Sequence, residues 1–106
     1  MDTNRFTELR RGLLEFLILA IVASDDVYAA DILERLKTTD FATREGTLYP
    51  LLSRMRRDGL LDYEWQESVA GPPRKYYRLT ETGRAELADF RAYWITLTTV
   101  IDTLGA

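Results

Sequence analysis

The amino-acid sequence predicts a mainly α fold with a small β-hairpin, and three observations carry that expectation. Apolar residues recur at helical spacing in four separate segments, one stretch between the third and fourth alternates with a period of two, and Gly and Pro divide that stretch in half. With 106 residues, 46% of them hydrophobic, the chain has the size of one globular domain built on one core. A domain this short buries only roughly two thirds of the surface its unfolded chain exposes, so a dimer interface is a natural source of further stability.

The first helix is read over Thr7–Ala23, where Leu9, Leu13, Leu14, Leu17, Ile18, Ile21 and Val22 recur with Arg10, Arg11 and Glu15 between them. Ser24-Asp25-Asp26 offers oxygen acceptors suited to capping a second helix from about Val27 to Lys37, with Tyr28, Ile32 and Leu36 on one face. After the polar break Thr38-Thr39-Asp40, a third helix carries Leu48, Leu51, Leu52 and Met55 inward and ends near Asp58. Two caps are open to its start: with Thr43, Pro50 would fall beyond the first turn and cost a backbone hydrogen bond, whereas with Thr47 it is the third helical residue, whose N–H has no intrahelical partner anyway, so the later start is preferred. Ser53, Arg54 and Arg57 then face away from the core, and Gly59 suits a left-handed helix end.

Leu61, Tyr63 and Trp65 alternate with Asp62, Glu64 and Gln66, the period of a half-buried strand. Ala70-Gly71-Pro72-Pro73 supplies turn chemistry, and the returning strand sets Lys75, Tyr77 and Leu79 against Arg74, Tyr76 and Arg78. Thr80 caps a last helix that runs to about Leu104, along which Leu87, Phe90, Trp94, Leu97, Ile101 and Leu104 fall at the spacing of a coiled-coil seam.

Composition excludes several functions. The chain has neither cysteine nor histidine, which removes disulfides, thiolate ligands, the commonest general base and the Ser-His and Cys-His pairs. None of its seventeen carboxylates has a spacing that implies a shared site, so the expectation is no enzyme, no metal and no cofactor. The apolar stretch Leu13–Ala23 is broken by Glu15 and falls short of the about 20 residues that a membrane span needs. Asp2 and Glu8 precede it and no small-residue cleavage site ends it, so neither a membrane anchor nor a signal peptide is expected, and the expected compartment is the cytoplasm.

A net charge of −3 argues against a nucleic-acid binder, but the distribution of charge argues for one. From Arg44 to Arg57 four arginines face Glu45 alone, and from Arg74 to Arg84 four cations face Glu81 alone. Three helices, a hairpin and a long terminal helix, in that order, form a winged helix-turn-helix over residues 1–79 with a C-terminal dimerisation helix over 80–106. In that arrangement the third helix enters the major groove and the hairpin lies beside it. Both cationic clusters fall on those two elements.

The sequence also resembles the PadR-like transcriptional regulators. The residues that carry the resemblance are Leu13-Leu14-Glu15-Phe16-Leu17-Ile18-Leu19, Gly46-Thr47-Leu48-Tyr49-Pro50-Leu51-Leu52, Asp58-Gly59-Leu60-Leu61, and Arg74-Lys75-Tyr76-Tyr77-Arg78-Leu79-Thr80-Glu81-Thr82-Gly83. The second and fourth stretches are the specific ones. Tyr28-Ala29 departs from the Tyr-Gly usual in the family, and the single terminal helix is similar to its compact branch.

The combined reading is a homodimeric regulator, a repressor, bound to double-stranded DNA at an inverted-repeat operator. Thr43, Arg44, Gly46, Thr47, Tyr49 and Pro50 are the candidates for the groove-facing end of the third helix, and Arg54, Arg57, Arg74 and Lys75 the candidate phosphate contacts, with Arg56 beside them. Leu87, Phe90, Trp94, Leu97, Ile101 and Leu104 are the candidate dimer seam. The resemblance implies a further role for Trp94, because in drug-sensing members an aromatic residue of this helix faces its mate across a pore; an effector would then be an aromatic or otherwise apolar small molecule. Two rival readings use the same elements: a winged helix that docks on another protein, and a carrier of small molecules built around Trp94.

Overall fold

The computed structural model describes residues 3–106. A turn of 3₁₀-helix at Thr3–Phe6 leads into α1 (Thr7–Ser24), followed by β1 (Val27–Tyr28), α2 (Ala29–Lys37), α3 (Glu45–Arg57), β2 (Leu61–Ser68), β3 (Gly71–Leu79) and α4 (Glu81–Gly105). The expected class holds: mainly α, a winged helix-turn-helix with a C-terminal helix.

The core forms where the helical stripes meet the inner face of the hairpin. Ile18 and Leu19 of α1, Ile32 of α2, and Leu48, Leu52 and Met55 of α3 are fully buried, and Leu61, Tyr77 and Leu79 close the cluster from the sheet. On α3 this buried stripe recurs at steps of four and three, which turns Gly46, Pro50, Ser53 and Arg57 outward.

Three local expectations are corrected. First, the sheet has three strands in the order β1-β3-β2, all antiparallel, with Val27 opposite Tyr77 and Tyr28 opposite Tyr76. Val27 and Tyr28 are therefore strand, α2 starts at Ala29, and Ser24-Asp25-Asp26 does not cap it. Instead, the Tyr28 N–H donates to Asp31 Oδ2 at 3.0 Å. Among the described residues none other than glycine has a positive φ, so Ala29 starts the helix without needing the family's usual glycine. Second, α3 begins at Glu45 with Arg44 as its extended cap, so Pro50 lies inside the helix and not in its first turn. The carbonyl that Pro50 leaves without an N–H partner belongs to Gly46, which is exposed and has nothing within 4 Å of its missing Cβ, so water can reach it. Third, β3 begins at Gly71, which places Pro72 and Pro73 in the strand with the turn at Val69-Ala70, and Trp65 is 61% exposed.

One junction ties α3 and the hairpin to the terminal helix. Gly59 takes φ 79°, as a left-handed helix end requires, and the Leu60 N–H donates to the Met55 carbonyl at 2.9 Å. The Leu60 carbonyl accepts from the Thr80 N–H at 3.2 Å and from the Thr80 hydroxyl at 3.0 Å, while the Gly83 N–H donates to Thr80 Oγ1 at 2.9 Å as an N-cap. Gly83 packs so tightly on Leu60 that a Cβ there would collide with its carbonyl and with Leu79.

From this anchor α4 lies along α1, with Leu87 buried and the Phe90 ring stacked on Phe16 at 4.2 Å, and then runs beyond the domain. The radius of gyration, 15.7 Å, exceeds the about 13 Å of a compact chain of this length.

Helix propensity alone makes Gly→Ala stabilising by about 1 kcal/mol, and Gly12 on the open face of α1 should show that gain. At Gly83 the sign should reverse: Gly83→Ala is expected to cost about 1–3 kcal/mol through overpacking. Thermal unfolding of both variants at one protein concentration checks the contrast.

Candidate nucleic-acid interface

The outward ridge of α3 and the hairpin border a groove that collects Arg56, Arg57, Arg74 and Lys75. Tyr49 and Ser53 from α3, Ala29 and Ala30 from α2, and Trp65, Pro73, Arg74, Lys75 and Tyr77 from the hairpin line a hollow of about 330 Å³. It continues into a cleft of about 190 Å³ lined by Leu52, Ser53, Arg56, Arg57, Tyr63, Lys75 and Tyr77.

Strand register sorts the hairpin's charges. Asp62 stands opposite Arg78, and that guanidinium lies 3.7 Å from Asp62 and 3.9 Å from Glu64, so one cation faces two of the three acids of β2. Arg74 and Lys75 are left with aromatic partners. The Arg74 guanidinium lies 3.9 Å from the Tyr28 ring centre, and the Lys75 ammonium lies 4.6 Å from that of Tyr63 and 5.5 Å from that of Trp65. From α3, Arg56 lies over the same Tyr63 ring at 4.7 Å. Aromatic faces hold these cations without neutralising them, which keeps the charge available to an external anion. Among the described residues, Arg56, Arg57, Arg74 and Lys75 form no ion pair.

The other candidate residues fall around this groove. Arg44, Gly46 and Pro50 are exposed on the N-terminal half of the α3 ridge, and Tyr49 faces the hairpin side, 43% exposed. Thr43 and Thr47 lie on the α1 side, in a smaller hollow with Arg10, Arg11 and Asp40. Arg54 also turns to that side and meets Glu15 of α1 at 3.5 Å, with half of its side chain exposed. Ser53, Tyr28, Tyr63 and Trp65 were not among the sequence-based candidates; the structure adds them as the wall that orients the cations. The Tyr28 hydroxyl fixes that wall by donating to Gln66 Oε1 at 2.9 Å.

On the opposite side of the domain, Phe90 and Trp94 are 5.9 Å apart between ring centres, and Trp94 is 38% exposed. With Leu9, Leu13, Phe16, Tyr93 and Leu97 they line an apolar hollow of about 490 Å³ that Glu86 and Asp89 border. Ile101 and Leu104 are exposed at 58% and 81%, whereas Leu87 is committed to the protomer's own core. The described residues contain no cluster of side chains suited to a metal ion, and none of their helices is long and apolar enough to cross a membrane.

Residues 18–89 match the Transcriptional regulator PadR-like family, a span that includes α2, α3 and the hairpin with its cations. The chain belongs to the PadR-like family of transcriptional regulators. A PadR-like transcription factor from Bacteroides fragilis is 42% identical, covers 95% of this chain and 98% of its own, and superposes with a TM-score of 0.84. The corresponding values for a PadR family regulator from Eggerthella lenta are 33%, 96%, 89% and 0.85. A transcriptional regulator of Mycobacterium tuberculosis is 38% identical over 84 residues, 79% of this chain and 78% of its own length.

Tyr77 stands at the floor of the groove, and its pKa is raised, first by burial and then by the neighbouring Tyr63 and Tyr49 hydroxyls, against an opposing effect of Arg56. The unfolded chain releases this proton near pH 10 while the folded chain retains it, so the stabilisation is complete below that pH and is lost as pH rises through the raised value. Tyr77→Phe should therefore flatten the loss of thermal stability above pH 10, measured by melting from pH 8 to 11 against the parent chain.

Proposed function

We propose that this PadR-like regulator is a homodimeric repressor that binds an inverted-repeat operator through α3 and the hairpin. The observation that carries the reading is the cationic groove: four arginine and lysine side chains from two elements face one surface without acidic partners, although the chain as a whole is acidic. On such a surface phosphate contacts fix the register and the exposed ridge of Gly46, Pro50 and Ser53 meets base edges. In a dimer, two copies of α3 reach successive major grooves roughly 34 Å apart.

The dimer reading is supported by the last three turns of α4. Val100, Ile101 and Leu104 are exposed there, on a helix that outruns its own domain. The apolar hollow beside Trp94 supports a role for an aromatic effector at the seam, where binding would be felt through α1. Location in the cytoplasm and the absence of catalysis follow from the same reading.

Two experiments test it. In fluorescence anisotropy with the promoter of the chain's own operon, binding should be sequence-selective, and Arg57→Ala with Arg74→Ala should weaken binding to every sequence alike while lowering the salt slope by about 2. Uniform loss marks phosphate contacts; loss on the operator alone would assign these residues to base reading. In sedimentation velocity the parent chain should run as a dimer, and Ile101→Glu with Leu104→Glu as a monomer, because both side chains are exposed in the protomer and their replacement spares its core. A double variant that remains dimeric would remove the seam from the account.

A further inference from the structure

Two cations from different elements share one aromatic ring in this molecule. Arg56 comes from the last turn of α3 and Lys75 from β3, and their charged groups lie 4.7 Å and 4.6 Å from the centre of the Tyr63 ring. Both charges are therefore within one Debye length of each other, about 10 Å at 0.1 M salt, and they repel. No carboxylate among the described residues pairs with either; Asp62 and Glu64, the nearest acids along β2, are both held by Arg78. An arrangement that brings two like charges to one ring and keeps acids away is completed by an external anion.

The space around the ring defines that anion. The cleft of about 190 Å³ is lined by the buried Leu52 and Tyr77 together with Ser53, Arg56, Arg57, Tyr63 and Lys75. It offers the Ser53 hydroxyl and three cationic donor groups to a compact tetrahedral oxyanion. The C-terminal dipole of α3 would oppose an anion here, but the Arg54, Met55 and Arg56 carbonyls already accept the N–H groups of Asp58, Leu60 and Gly59.

We infer that this cleft is a single-phosphate clamp in which Arg56 of α3 and Lys75 of the hairpin grip one backbone phosphodiester together, with Tyr63 as the positioning residue that sets the distance between them. The inference rests on the DNA-binding reading above and adds to it a stoichiometry: two cations, one phosphate. It also gives the hairpin a defined place, since a shared phosphate fixes the wing to the recognition helix at a single point of the DNA backbone.

The test counts phosphates. The salt dependence of operator affinity is measured by anisotropy for the parent chain, Arg56→Ala, Lys75→Ala and the double variant. Each phosphate neutralised contributes about 0.9 to the slope of log affinity against log salt. With one shared phosphate, each single variant keeps a slope within about 0.3 of the parent, because the remaining cation still neutralises the site, and the double variant loses about 0.9. Single losses of about 0.9 that add to about 1.8 overturn the clamp and leave the regulator reading standing; so does a double variant with an unchanged slope. A parent chain without salt-dependent DNA affinity overturns both.

Tyr63 is tested in the same assay. Tyr63→Phe keeps the ring and should bind as the parent does, whereas Tyr63→Leu should weaken operator binding three- to tenfold and make the slopes of the Arg56 and Lys75 variants additive. Because Arg56 is exposed and Lys75 only half-buried, their variants remain informative even where Tyr63→Leu folds poorly. Equal affinity for Tyr63→Leu and the parent would remove the positioning role.

Discussion

The structure depends on the close approach of Leu60 to Gly83. At that point the end of α3, the start of β2, the end of β3 and the start of α4 meet within a few residues. Leu60 accepts from Thr80, Thr80 caps α4, and the bare Cα of Gly83 lets the helix press on the Leu60 carbonyl. The cationic side and the protruding helix are therefore joined by one tight contact and not by a linker. Thr80 also reaches back to the Gly59 carbonyl at 2.6 Å, so the left-handed helix end is part of the same assembly.

From that anchor the electrostatics follow. An acidic chain presents a cationic face because its acids are either spent in pairs or lie elsewhere. Arg78 takes Asp62 and Glu64 of β2, and Asp25, Asp26, Asp31 and Glu34 gather around the start of α2, on the side where Tyr76 and Arg35 stand. What remains at the groove is positive charge resting on aromatic rings. Such rings orient a cation while leaving it free to meet a phosphate, a combination that a carboxylate partner does not provide. Net charge is therefore a poor guide to this family member, and the placement of each charge on an element is a good one.

The legible part of the fold is the part with a long period. Four helices and the hairpin were readable because their apolar stripes extend over several turns or several alternations, and Thr80 and Gly59 marked their ends by chemistry that is local. β1 was not readable: two residues cannot show a period, and Val27-Tyr28 is a strand only because β3 lies beside it. The Pro50 rule sets the start of α3 too late, because the carbonyl it would leave unpaired belongs to an exposed glycine. Alternation showed that Trp65 shares a face with Tyr63 but not that the hairpin outruns the core at that point. At the candidate site, the cations were visible in the sequence, whereas their sorting was not. That Arg78 is neutralised while Arg56 and Lys75 share a ring depends on strand register and on the distance between two elements, and neither is encoded in residue spacing.

The most direct test of the central claim is a heteronuclear NMR titration of the whole chain with a duplex that carries the operator. The account predicts that amide shifts concentrate on residues 44–57 and 63–78, with the acidic surface around Asp25, Asp31 and Glu34 unmoved. Shifts centred on that acidic surface, or none on α3 and the hairpin, would contradict it.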